Sequence, residues 1–202
     1  MVSPAKLAHL VIQSHDPGGL AKWYADLLGA KIVFESPVIN LITYDEEHHR
    51  IGFAALPPAD GSAGGAAEGA VTHRVAGQPG MSHVAFGYDS IRDLLECYEA
   101  AKKRGQEPVV QIHHGMTMSF YWKDPDGNNI ETFVECLPDA QAAMDYMESP
   151  EFVGNPVGQP LDGDALLERM RAGASDEELM YFDPTVEVDV MGLAEQTMRS
   201  LG

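Results

Sequence analysis

The apolar positions of this chain fall into a layout that is written twice. KLAHLVIQSHDPGGLAKWYADLLGAKIVFE, from residue 6, and GMSHVAFGYDSIRDLLECYEAAKKRGQEPVV, from residue 80, each open with a short apolar run carrying one histidine and then turn helical. A shift of 74 superposes His9 on His83, Leu20 on Leu94 and Tyr24 on Tyr98. The helices show apolar residues at i, i+3 and i+4 spacing: Leu20, Trp23, Tyr24 and Leu27 in one, Ile91, Leu94, Leu95 and Tyr98 in the other. Gly29 and Gly105 stop them. Three extended stretches follow in each copy. In the first they are KIVFES, VINLITYD and HRIGFAAL; in the second, PVVQIHH, TMSFYWK and NIETFVE, the last two joined by the turn DPDGNN.

The pattern predicts an α+β chain of two βαβββ modules, over residues 5–56 and 81–137. A four-stranded sheet cannot cover its own apolar face, so the two copies are expected to pair as a partly open β-barrel with those faces between them. PPADGSAGGAAEGAVTHRVAGQPG, residues 57–80, reads from its glycine and alanine as a flexible connector, with His73 a solvated loop residue. After about residue 138 the repeat is over. Patches such as DAQAAMDYMES and DALLERMRAG, separated by NPVGQP and FDP, predict a helical C-terminal extension over 138–202, with Met144, Met147, Met170 and Met180 as adaptable packing.

Composition narrows the partners. Thirteen basic against 31 acidic residues give a formal net charge of −18, a field that repels phosphate backbones and anionic lipid surfaces. No nucleic-acid or membrane partner is expected. No apolar run approaches the roughly 20 residues that span a bilayer, and MVSPAKLAHLVIQ lacks the pattern of a secretory signal, so a cytoplasmic location is expected. Cys97 and Cys136 are the only cysteines. They suit a reducing compartment, offer no thiolate metal site and read as packing residues. An exposed sheet edge and a helical tail make a homodimer or higher homo-oligomer the expected assembly.

Three polar residues stand out against the apolar strands. His9 shares a strand face with Leu7 and Val11, His83 with Met81 and Ala85, and Glu131 with Asn129 and Phe133. Two imidazoles and a carboxylate from three strands make the facial triad that suits Fe(II) in oxygenases, because it leaves positions vacant for substrate and O₂. Aligning Tyr44 with Tyr121 and Ile51 with Ile130 puts Gly52 at the position of Glu131, so the first copy offers no fourth ligand. DEEHHRIGF, residues 45–53, read as a strand, puts His49 in line with Ile51 and Phe53. A histidine in that company is either a satisfied structural residue or part of a site.

KLAHLVIQ, HHRIGFA, SHVAFGY and SFYWKDPDGNNIETF together resemble the vicinal oxygen chelate superfamily, and within it the short, single-pair type I extradiol dioxygenases of the dihydroxybiphenyl dioxygenase-like branch. The likeness covers about residues 5–136. DPDGNxxE is found throughout the superfamily, whereas HHRIGF paired with SFY ten residues before the glutamate is the more telling combination. The resemblance implies that His9, His83 and Glu131 hold Fe(II), with Mn(II) the alternative, that His49 is the acid–base group, and that Tyr121 contacts a catechol-type substrate cleaved with O₂. The family also places a histidine before SFY. Ile112 occupies that point in a gap-free alignment, with His113 and His114 just after it, so either of these is the candidate.

Two other readings keep the fold. A glyoxalase-like isomerase or lyase with four protein ligands needs one at Gly52, which has no side chain to give. A non-catalytic binder of aromatic ligands or drugs, like the bleomycin-resistance members, leaves His9, His83 and Glu131 without a task.

Overall fold

The computed structural model describes residues 3–4, 6–56 and 80–201. The expected connector, His73 included, lies outside the described residues apart from Gly80. The chain divides into two units, one running through the first module with residues 124–127, the other holding the second module and the C-terminal extension.

The first unit comprises β1 (Leu10–Ser14), α1 (Pro17–Leu28), β2 (Lys31–Phe34), β3 (Ile39–Thr43) and β4 (Ile51–Ala55). The Asp16 side chain accepts from the Gly19 amide at 2.9 Å, and Pro17 sits in the first turn, where its missing N–H costs nothing. Gly29 ends the helix in the left-handed region at φ 63°, which glycine enters without a Cβ penalty. The sheet order is β1-β4-β3-β2, with β1 parallel to β4 and the other pairs antiparallel. Leu20, Tyr24 and Leu27 of α1 are buried, as are Ile42, Ile51 and Phe53 of the sheet it packs on. The rings of Tyr24 and Phe53 lie 5.0 Å apart. The opposite face carries Val11, Leu41 and Gly52.

The second unit repeats the plan with β5 (Val84–Tyr88), α2 (Ile91–Lys103), β6 (Val110–His113), β7 (Thr117–Lys123) and β8 (Asn129–Glu135). Here Ser90 caps the helix by accepting from the Asp93 amide. Ile91, Leu94, Leu95 and Tyr98 are buried, as the spacing predicts. The extension continues through α3 (Ala140–Met147), α4 (Pro150–Gly154), β9 (Gln159–Pro160), α5 (Gly163–Arg171), α6 (Asp176–Leu179) and α7 (Val190–Leu201).

The extension is not wholly helical. Gln159 and Pro160 of the expected separator form β9, which pairs antiparallel with β6 and gives the sheet the order β5-β8-β7-β6-β9. The pairing follows because β6 leaves one edge of its backbone groups unmet, and the Leu161 amide donates to the Gln111 carbonyl at 3.0 Å. Further on, α5 packs against α2, where Asp164 accepts from Lys102 Nζ at 2.6 Å and from the Tyr98 hydroxyl at 3.1 Å. Leu166, Leu167 and Leu179 are buried by this packing.

Candidate metal and diol site

Strand pairing sets the second unit's site. Glu131 stands between Ala85 of β5 and Tyr121 of β7, on the face turned away from Ile130, Thr132 and Val134. His83 lies one residue ahead of β5, and its Nε2 is 2.9 Å from Glu131 Oε2. The carboxylate is 8% exposed, and among the described residues no lysine or arginine forms an ion pair with it. His83 Nδ1 is buried with no hydrogen-bond partner among the described residues. A buried carboxylate facing an imidazole, with no cationic side chain to neutralise it, is the donor chemistry that a divalent cation takes. His83 and Glu131 fit that group.

Tyr121 adds a neutral hydroxyl to the same face. Its ring meets that of His83 edge-on at 5.4 Å, and its hydroxyl is 3.1 Å from His114 Nε2. Burial first and the Glu131 carboxylate second push the Tyr121 phenol well above its ordinary pKa, so it stays protonated and able to donate. Burial lowers the pKa of His114, with Glu131 opposing that shift.

His113 does something else. The Gly115 amide donates to its Nδ1 at 3.1 Å, so the ring proton is on Nε2, which donates to the Met180 carbonyl at 3.0 Å. Both nitrogens are thereby committed to backbone, and the ring lies 5.0 Å from that of Phe182. Of the two adjacent histidines, His114 meets Tyr121 and His113 anchors the extension. The alternation of a strand separates their side chains in this way.

In the first unit the candidates are His9, one residue ahead of β1, and His49. The strand reading of DEEHHRIGF is corrected here: β4 begins at Ile51, and Ile51 and Phe53 point into the core under α1. His49 precedes the strand, and with no ladder to fix its direction its ring lies 4.9 Å from that of His9. His49 Nδ1 approaches His48 Nδ1 at 2.5 Å. Desolvation first, then the imidazoles of His48 and His9, hold His49 below the usual histidine pKa.

The alignment through Tyr44 is also corrected. Leu41 pairs with Gly52 as Tyr121 pairs with Glu131, so Leu41 occupies the Tyr121 position and Tyr44 lies beyond the strand, 47% exposed. The β3–β4 connection is one residue longer than its counterpart, 43–50 against 123–129, and that breaks a gap-free match. Gly52 does take the Glu131 position, since Val11 pairs with Gly52 as Ala85 pairs with Glu131.

The structure therefore brings together His83, Glu131, Tyr121 and His114 in the second unit, and His9 with His49 in the first. Among the described residues, no three of His, Cys, Asp or Glu within either unit converge closely enough to hold a metal by themselves. Sequence reasoning missed the side chains that seat the two strand-leading histidines, Arg50 and Asn129, because bonds to backbone carbonyls leave no periodic signal.

The chain is 37% identical over 173 residues to biphenyl-2,3-diol 1,2-dioxygenase 2 of Rhodococcus globerulus, covering 86% of this chain and 85% of that one. It is 34% identical over 179 residues to biphenyl-2,3-diol 1,2-dioxygenase 3 of the same organism, covering 89% of each. Among solved structures, a glyoxylase/bleomycin resistance protein/dioxygenase domain from Frankia sp. EAN1pec matches with a TM-score of 0.51 at 16% identity, over 70% of this chain and 99% of that one, a likeness of fold. The model of the Glyoxalase/Bleomycin resistance protein/Dioxygenase superfamily matches residues 6–132, and the chain belongs to that superfamily.

Proposed function

We propose that this protein is an Fe(II)-dependent extradiol dioxygenase that opens the ring of a catechol-type diol with O₂, with Mn(II) as the alternative metal. His9, His83 and Glu131 would be the ligands. The observation that carries the reading is the buried Glu131 carboxylate, which among the described residues has the His83 imidazole and no lysine or arginine as its ion-pair partner and stands beside the Tyr121 hydroxyl. Two relatives named as biphenyl-2,3-diol dioxygenases, alike over most of both chains, support it.

Held by these residues, Fe(II) would supply Lewis-acid and redox chemistry toward the diol and O₂. The protein's own side chains do the rest. With Nδ1 turned to His48, His49 Nε2 takes a proton from a diol hydroxyl and returns it as the ring opens. Tyr121, held protonated, donates to a substrate oxygen, and His114 Nε2 fixes the direction of that hydroxyl. Gly52, at the position where a four-ligand isomerase needs a side chain, has none to offer a metal.

Anaerobically Fe(II)-loaded protein, given catechol, 3-methylcatechol or 2,3-dihydroxybiphenyl and then air, is expected to form a yellow ring-cleavage product with matching oxygen uptake. No product from any of the three diols, in protein shown to hold iron, would overturn the reading. His49→Ala is expected to keep its metal and lose about 10²–10⁴-fold in turnover.

A further inference from the structure

His9 and His83 share a local support as well as a position. Asn129, two residues before Glu131, is 4% exposed, and every polar atom of its side chain has a partner. Its Nδ2 donates to the Ser82 carbonyl at 3.0 Å and to the Leu201 carbonyl at 2.6 Å, while Oδ1 accepts from Lys123 Nζ at 3.2 Å. Ser82 is the residue immediately before His83. In the first copy the residue two before Gly52 is Arg50, whose Nη1 donates to the Leu7 carbonyl at 3.0 Å and to the Ala8 carbonyl at 3.1 Å. Its Nε is held by Asp45 Oδ2 at 2.8 Å. Ala8 is the residue immediately before His9.

The matching pairs Val11 with Gly52 and Ala85 with Glu131 put Arg50 and Asn129 at one equivalent position of the duplicated unit. Two unlike side chains thus make the same bond to the same place in both copies. The strands begin only at Leu10 and Val84, so the peptides carrying the two histidines lie just ahead of the ladder. There a side-chain tie decides where the imidazole sits. We propose that Arg50 and Asn129 are positioning residues that hold the chain at Ala8 and Ser82 and thereby aim His9 and His83 at the metal. The inference rests on the reading of these histidines as ligands. Such outer partners fix ligand orientation and govern affinity without touching the ion. Through Leu201, Asn129 also couples the end of α7 to the His83 peptide.

The test uses full-length Asn129→Ala, Asn129→Asp, Arg50→Gln and Arg50→Lys. Each is measured for Mn(II) and Co(II) affinity by anaerobic equilibrium dialysis, for hydrogen exchange over 7–10 and 81–84, and for thermal midpoint. Asn129 variants are expected to bind the metal about 10–100-fold more weakly and to exchange faster at 81–84 alone; Arg50→Gln should do the same at 7–10 alone. Arg50→Lys keeps a cation able to reach one carbonyl and should recover part of the affinity, which a loss of general stability would not produce. Should the Asn129 variants fail to fold, the Arg50 pair decides. Folded variants with parental affinity and parental exchange overturn the inference. A parent chain that takes up no divalent ion instead sinks the metal reading, and unchanged exchange in the variants would then still refute the tie itself.

Discussion

Glu131 and Gly52 occupy the same ladder position in the two sheets, yet their surroundings have diverged. Around Glu131 the extension has been added: β9 lies along β6, the Met180 carbonyl is bonded by His113, and α7 ends on Asn129. Among the described residues, no added strand or helix lies against the first sheet in this way. All four residues of β2 are exposed, Val33 at 47% and Phe34 at 50%. The two modules share one plan, and the tail is anchored on the second of them, through His113 and Asn129. In the first copy His9 is exposed and His49 half-buried. Chemistry that needs a desolvated ligand and a less buried base gains from such asymmetry.

The sharpest way to break this contrast is to truncate one apolar side chain of the extension and one of the open sheet. Leu179→Ala removes a side chain that is 1% exposed beneath the extension and is expected to cost about 2–5 kcal/mol in denaturant unfolding. Val33→Ala on the open sheet is expected to stay within about 0.5 kcal/mol. Equal losses would mean that the two copies are equally enclosed.

A smaller effect is expected from acid. His113 is buried and binds its proton less readily in the folded chain than at the ordinary value of 6.5. Between 6.5 and that lower folded value the unfolded chain carries the extra proton. Stability from this residue is therefore whole above about pH 6.5 and is lost as pH falls through the window. His114 shifts in the same direction and adds to the slope. Thermal midpoints measured from pH 7.5 downward should fall, and His113→Gln, which keeps a donor for Met180 without a titrating ring, should fall less steeply.

The smallest effect belongs to Gly52→Ala. The new Cβ would meet the Leu41 Cδ2 at 3.2 Å, the end of a flexible side chain, and the Val11 Cγ2 at 3.4 Å, an ordinary van der Waals contact. A cost of about 1 kcal/mol or less is expected, read as a slight shift of the denaturation midpoint.

Much of this was legible in the sequence because periodicity reports which face of an element is buried. The helices over Leu20–Leu27 and Ile91–Tyr98, the eight module strands and the equivalence of His9 with His83 all follow from spacing. Parity failed where regular backbone ended. His49 is two residues outside β4, so counting in twos from Phe53 assigned it to the wrong side. Tyr44 failed for a related reason: matching it to Tyr121 needs a connection two residues shorter than in the second copy, whereas the β3–β4 connection is one residue longer. The tail's placement was illegible because short helices with little apolar area fit many surfaces. Only a tertiary contact such as His113 with Met180 selects one.

The two-residue strand β9 has a further consequence. Pro160 has no amide hydrogen to offer, so the rim it forms beside β6 cannot donate at that point to another strand. The second sheet is thereby terminated on that side, guarded against lateral growth into fibrils or swapped pairings. Any intermolecular strand addition is left to the bare rims elsewhere in the molecule.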